Sequence, residues 1–131
     1  MKFSIEPTHP NTIQAYGPGT IKVGSRVYER SFIISPSEIL GDWPPQTPDE
    51  LQADHIEQFL VLEPEIVILG TGAGLCFPVP EIAQCLMAAR VGFEVMDTAA
   101  ACRTYNVLLG EGRRVVAGLM MIPSNRDLEE Q

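Results

Sequence analysis

Residues 65–82 read EIVILGTGAGLCFPVPEI, and this stretch decides the fold. Its opening run, residues 66–69, is apolar without interruption and rich in β-branched side chains, which is typical of a strand buried on both faces. Glycines at positions 70, 72 and 74 then allow a sharp turn. Pro80 and Glu81 favour the first turn of a helix. The order strand, turn, helix predicts an α/β protein with parallel crossovers.

The segments that follow repeat this alternation. Residues 80–91 carry apolar side chains at helical spacing, and residues 93–96 form the next short strand. Asp97 or Thr98 is a suitable N-cap for a further helix that runs to residue 109 and is closed by a glycine. Residues 115–120 make a last strand. The second half of the chain is therefore predicted to be β-α-β-α-β.

The first third is predicted to be antiparallel β-structure. Strand candidates lie at residues 3–5, 13–16, 21–23 and 27–34. Gly24 and Ser25 separate the last two, and glycine first in a two-residue loop predicts a type II′ hairpin, because that position needs positive φ. We expect this hairpin at one edge of a mixed central sheet, with helices against the sheet faces.

One domain is predicted to span residues 1–123, because a chain of 131 residues is large enough for a single core and shows no internal repeat. Residues 124–131 are polar and are expected to form a disordered tail. A helix is predicted whose N-cap is Thr47 and whose first residue is Pro48, with Glu50 completing a capping box.

The aromatic residues offer candidate contacts for a partner. Trp43, the only tryptophan, lies in a Pro-rich loop. Either its indole packs over the edge of the core, or it is an exposed anchor for another protein. Phe77 and Tyr105 are the other aromatics that an exposed interaction patch would use.

Charge and hydropathy exclude two classes of partner. Nine Lys and Arg against seventeen Asp and Glu give a net charge of −8 without a basic cluster, so no nucleic-acid binding is expected. The longest late apolar run, residues 115–122, is shorter than the ~20 residues of a membrane-spanning helix, so no membrane insertion is expected. The start of the chain has no apolar stretch typical of a signal peptide.

The cysteines and histidines indicate neither a disulfide framework nor a metal site, because three cysteines lack CxxC spacing and the two histidines are isolated. Cys76 would be a nucleophile only if a base lowered its pKa. Cys85 and Cys102 are interpreted as small core residues. The chain is predicted to work in the reducing cytoplasm without a metal or a cofactor.

The glycine loop does not match a nucleotide-binding motif. A dinucleotide fingerprint needs glycine at the first, third and sixth positions. Counted from Gly70 the sixth residue is Leu75, and counted from Gly72 it is Phe77. No Gly-Lys-Ser/Thr follows either, so the loop is not a Walker A motif. We interpret it as a sharp turn off a buried strand.

A second set of polar residues is predicted at the same sheet edge as this loop, since parallel strands end at a common edge where ligands bind. The candidate ligand or partner site therefore joins the loop to the start of the last helix, and its residues are Gly70, Thr71, Gly72, Asp97, Thr98, Arg103 and Asn106. The alternative is structural: Asp97 or Thr98 caps the helix, and Arg103 makes an ion pair with Glu94 or Glu111.

With these segments in place, the chain resembles a known family of small domains. The resemblance rests on ILGTG at 68–72, FEVMDT at 93–98, ACRTYNVL at 101–108 and EGRRVVA at 111–117. The family includes mitochondrial complex I assembly factor 3 and the adipogenesis-associated domain proteins, and this chain looks like a bacterial stand-alone member. The resemblance implies a compact α/β domain with a mixed sheet. It implies no catalytic residues, because the family has no established reaction.

Two hypotheses of function follow. The first is a non-enzymatic cytoplasmic domain for protein interaction or assembly, because the best-understood relative in the resembled family binds other proteins. The second is a small-molecule site, for an anionic ligand or an enzyme's substrate, between Gly70–Thr71–Gly72 and the helix start at Asp97. The first is preferred, with an unidentified protein as the partner.

Overall fold

The computed structural model describes residues 9–124. Its elements in chain order are β1 (Ile13–Gly17), β2 (Thr20–Val23), β3 (Arg26–Tyr28), β4 (Phe32–Ile34), β5 (Ile39–Leu40), a 3-10 turn (Pro48–Glu50), α1 (Ala53–Leu60), β6 (Ile66–Thr71), α2 (Pro80–Ala88), β7 (Gly92–Met96), α3 (Thr98–Gly110) and β8 (Val115–Met120). The strand predicted at residues 3–5 lies outside the described residues, and so does the predicted tail apart from Ser124. The single-domain boundary stays a prediction.

A mixed five-stranded sheet forms the centre of the fold, as predicted. Its strand order is β5-β4-β8-β6-β7. Strands β7, β6 and β8 are parallel, β4 pairs antiparallel with β8, and β5 pairs antiparallel with β4. Strand β6 lies between β8 and β7, and Val67, Ile68 and Leu69 are fully buried. The predicted β-α-β-α-β order of the second half is confirmed.

The N-terminal hairpin forms a sheet of its own, so the prediction that it lies at an edge of the central sheet is wrong. Strands β1, β2 and β3 pair antiparallel, and the two-residue loop begins at Gly24 with φ of +60°, as the predicted turn requires. The predicted arm 27–34 is divided between the two sheets. Phe32, Ile33 and Ile34 are fully buried and need cover on both faces, whereas β3 is largely exposed.

Two apolar cores lie on opposite faces of the central sheet. One joins α1 and α2 to the sheet, and the other joins α3 and the small sheet to it. Trp43 belongs to the first core: its side chain is 1% exposed, and its ring centroid lies 5.2 Å from that of Phe59. A Cβ on Gly118 would lie 2.8 Å from the indole, so this glycine lets the ring pack directly on β8. The interpretation of Trp43 as a lid on the core is confirmed.

Helix α1 begins at Ala53, five residues later than the predicted start at Pro48. The Thr47 hydroxyl donates to Asp49 Oδ1 at 2.6 Å instead of capping, and residues 48–50 form only a 3-10 turn. Leu51 is extended, which ends that turn. Gln52 and His55 form the capping box instead. The Nδ1 atom of His55 accepts a hydrogen bond from the backbone amide of Gln52 at 2.9 Å.

Candidate functional site

The predicted glycine loop and the start of α3 are brought together by hydrogen bonds. The Thr98 hydroxyl accepts from the Gly72 amide at 2.8 Å and donates to the Met120 carbonyl at 2.6 Å. The Thr98 amide donates to the Gly72 carbonyl at 2.9 Å. Thr98 is fully buried. One side chain thus ties the end of β6, the end of β8 and the first turn of α3 to each other.

The Thr71 side chain also forms hydrogen bonds within the loop. The Thr71 hydroxyl donates to the Gly74 carbonyl at 2.6 Å and accepts from the Cys76 amide at 3.2 Å. A Cβ on Gly70 would lie 3.0 Å from both Ala101 Cβ and Thr98 Oγ1, so α3 crosses β6 where glycine allows close approach. These contacts hold the loop in one conformation against α3, so the loop has a structural role.

The other predicted site residues fasten α3 rather than face the loop. Asp97 caps the helix, since its Oδ1 accepts from the Ala100 amide at 2.8 Å. Asn106 exchanges two hydrogen bonds with the Ile13 backbone, at 2.9 and 2.8 Å.

Arg103 makes a different bond from the one predicted. Its Nη1 donates to the Tyr16 hydroxyl at 2.8 Å, and this bond raises the pKa of the guanidinium. The ion pair with Glu94 or Glu111 is therefore replaced by a bond to β1. Arg103 and Asn106 both anchor the small sheet to α3.

The aromatic candidates divide into buried and exposed residues. Tyr105 is fully buried, its hydroxyl donates to the Asn11 carbonyl at 3.2 Å, and burial raises its pKa. Together with the burial of Trp43, this corrects the idea that both lie on an exposed patch. Both rings are large apolar surfaces that the two cores enclose. Phe77 is 70% exposed and available to a partner.

The three cysteines differ in burial. Cys102 is buried, as predicted, and desolvation raises the pKa of its thiol to about 12. Cys85 is exposed, which corrects its assignment to the core: Ile82 and Leu86 alone make the buried stripe of α2. Cys76 is exposed as well. Within residues 9–124, no three His, Cys, Asp or Glu side chains are grouped as a metal site would require.

Phe77 lies in a part of the chain where several large apolar side chains are exposed. Leu75, Val79 and, on α2, Met87 are 57%, 53% and 70% exposed. Beside Phe77 and Val79 a groove of about 450 Å³ separates the start of α2 from β7. It is lined by Phe77, Pro78, Val79, Pro80, Ala83, Phe93, Glu94 and Val95, so all but one of its lining residues are apolar. Sequence reasoning singled out only Phe77 here. Several large apolar residues in a Pro-containing segment without periodicity were the available signal for the others.

None of the helices in the described part of the chain is long and apolar enough to cross a membrane. The fold and this surface define a class of protein: a small mixed-sheet α/β domain with an apolar groove beside a sheet edge. A family model with the description "Protein of unknown function (DUF498/DUF598)" matches residues 13–120, and the chain belongs to this family.

Three similar proteins show the breadth of the family. The solution structure of a Mth938-like domain from Bordetella pertussis is 32% identical, covers 95% of this chain and 94% of its own, and has a TM-score of 0.81. Human NADH dehydrogenase (ubiquinone) 1 alpha subcomplex assembly factor 3 is 32% identical over 106 residues, 72% of this chain and 56% of the human protein. A "13 kDa major membrane protein" of Francisella tularensis is 28% identical over 108 residues, 81% of this chain and 87% of that protein.

Proposed function

We propose that this chain is a non-enzymatic protein-interaction domain that acts as an assembly factor. The observation that carries the proposal is that the exposed side chains of Phe77 and Val79 line the largely apolar groove beside β7. Contiguous exposed apolar side chains on a small domain mark sites where another molecule covers them. An aromatic ring at the centre of such a surface is a suitable anchor for a partner.

The relatives support a role in binding proteins. The human relative is named as a complex I assembly factor, and assembly requires contact with other proteins. We carry over only the binding of a protein partner and leave the identity of that partner open. The small-molecule alternative has less support, because Thr71, Gly72 and Thr98 use their polar groups to bond within the protein.

We place this activity in the cytoplasm and without nucleic acid. Cys76 and Cys85 are exposed and unpaired, which suits a reducing compartment. The net charge of −8 opposes contact with phosphate backbones. Because the Francisella relative is named as a membrane protein, cell fractionation is the direct test. The protein should remain in the supernatant after membranes are sedimented, and recovery with the membranes would contradict this placement.

Affinity capture with matched variants tests the proposed role. Phe77→Ser removes the most exposed aromatic of the groove, whereas Val107→Ser removes a comparably exposed apolar side chain, 60% exposed, from α3 on the opposite face. Immobilised wild-type protein and Val107→Ser should retain the same specific partner from native extract. Phe77→Ser should bind this partner at least about thirtyfold more weakly, since hot-spot truncations cost at least ~2 kcal/mol.

The controls are chosen so that loss of fold is not mistaken for loss of binding. Both side chains are largely exposed, so both variants should keep the wild-type circular dichroism spectrum. If gentle crosslinking finds no specific partner for the wild-type protein, the proposed role is wrong. Equal capture by Phe77→Ser and wild type would place the binding surface elsewhere.

A further inference from the structure

Strand β7 is an open edge of the central sheet. It has five residues and pairs with β6 on one side, and within residues 9–124 no strand pairs with its other side. The opposite edge strand, β5, has only two residues. Many proteins keep their edge strands short, which limits pairing with another strand, but β7 is not short in this way. An edge of this length presents unpaired backbone donors and acceptors to an incoming strand.

The two faces of β7 have different chemistry. Phe93 and Val95 are opposite Val67 and Leu69 of β6 and belong to the core on the α2 face. They are half-buried and line the apolar groove with Phe77. Their outer sides are the part of the groove that an added strand would cover.

Glu94 also borders the groove, and the alternation of the strand places its side chain on the face opposite to Phe93 and Val95. It is opposite Ile68, which belongs to the core on the α3 face, and its side chain is exposed. Its carboxylate makes no ion pair within the described residues. A neighbouring strand would therefore place every second side chain against an apolar groove and the intervening ones beside a carboxylate.

We propose that β7 accepts an extended segment of a partner protein as an additional strand, and that this segment alternates apolar and basic side chains. The inference rests on the proposed interaction role and specifies its surface and its ligand. Backbone hydrogen bonds to the open edge supply affinity that is independent of sequence, and alternate side chains supply specificity. The apolar side chains enter the groove beside Phe77 and Phe93, and Lys or Arg residues face Glu94.

A second copy of this chain is a poorer occupant of the edge. Glu94 is the central residue of β7. Symmetric antiparallel pairing about this centre would place Glu94 directly opposite Glu94 of the other copy, and like charges opposite each other destabilise a sheet. Each copy also carries a net charge of −8. In this register the charge that disfavours self-pairing is the same charge that favours a basic partner.

Synthetic peptides test the inference directly. The probes are two nine-residue peptides with blocked termini, one alternating Val and Lys and the other alternating Val and Glu. Fluorescence anisotropy measures their affinities, and amide chemical shifts locate the binding site. The Val–Lys peptide should bind at least about tenfold more tightly and shift the amides of β7. A Val–Lys peptide with proline replacing two alternate residues should bind more weakly, because proline lacks the backbone donor.

Two charge variants separate the local effect from the overall charge. Glu94→Lys and Glu57→Lys change the net charge equally, and Glu57 is an exposed residue of α1. Glu94→Lys should reduce the preference for the Val–Lys peptide about tenfold, since two neighbouring lysines each lose an attraction and gain a repulsion. Glu57→Lys should change it less than about twofold, because distant exposed charges are screened.

Several results would overturn the inference. These are equal affinities for the two peptides, no binding of the Val–Lys peptide, shifts confined to residues outside β7, an unchanged preference in Glu94→Lys, or self-association of the chain through β7. Capture of a partner that depends on Phe77 while the peptides fail to bind would refute this inference alone and leave the interaction role standing.

Discussion

Replacing Thr98 with valine tests the hydrogen bonds that fasten the glycine loop to α3. Valine keeps the branched shape of threonine and replaces the hydroxyl with a methyl group, which forms no hydrogen bonds. The Gly72 amide then loses its acceptor at 2.8 Å, and the Met120 carbonyl loses its donor at 2.6 Å. Both bonds are buried, so water does not simply replace the missing partner.

The expected loss of stability follows from these two groups. A buried donor or acceptor left without a partner costs about 1–3 kcal/mol, and partial relaxation reduces the sum. We expect Thr98→Val to lower the free energy of unfolding by about 2–4 kcal/mol. This is a large share of the ~5–15 kcal/mol typical of a domain. With a urea dependence of about 2 kcal/mol per M, the midpoint should fall by about 1–2 M.

Urea unfolding followed by tryptophan fluorescence measures this shift, because Trp43 is buried in the folded state. Thr98→Ser is the matched control, since it keeps the hydroxyl and loses one methyl group. It should lower the free energy of unfolding by only about 1 kcal/mol. If the valine variant is no less stable than the serine variant, the Thr98 hydroxyl does not stabilise the attachment of the loop to α3.

Three further changes test other parts of the structure. Gly118→Ala should destabilise the fold by about 1–3 kcal/mol and expose Trp43 in fluorescence spectra, because its Cβ would lie 2.8 Å from the indole; an unchanged melting temperature would contradict this. A thiol reagent should modify two cysteines in the folded protein and the buried Cys102 only after denaturation, so rapid modification of all three would be the contrary result. A hydrogen bond from the Arg114 backbone amide lowers the pKa of Glu65 below 4.5, so the ionised carboxylate stabilises the fold above pH 4.5, and this stabilisation is lost as the pH falls through the lower folded pKa. Glu65→Gln should therefore be less stable than wild type at pH 7 and equally stable in acid. A difference in the free energy of unfolding that does not change with pH would contradict this.

Local signals in the sequence were sufficient to predict the strands and helices in the second half of the chain. The uninterrupted apolar run of β6 requires cover on both faces, and only a central strand provides it. Asp97 follows a strand and precedes a helical pattern, so its capping role could be anticipated. These features depend on neighbours in the chain, and the structure confirms them.

Features that depend on distant neighbours were predicted less well. Residues 27–34 have one continuous pattern, yet the pattern does not reveal that its two ends join different sheets. Trp43 and Tyr105 are large rings whose burial is decided by residues far along the chain, Gly118 and Asn11 among them.

The order of strands in the sheet is likewise invisible in the sequence. Strand β7 has the same alternation whether it is central or at an edge. Only the pairing order shows that one of its sides is open and that Phe77 lies beside it. The surface now proposed for binding could therefore not be located from the sequence, although Phe77 itself was among the candidates.

Site-specific photocrosslinking in cells is the most direct test of the central claim that the face around Phe77 and β7 binds another protein. A benzoyl-phenylalanine residue placed at position 77 should give a discrete adduct with one partner protein, and the same residue at position 107 should not. Mass spectrometry of the adduct should identify an extended partner segment with alternating apolar and basic residues. An adduct at 107 and none at 77, or crosslinking at 77 only to a second copy of this chain, would contradict the account.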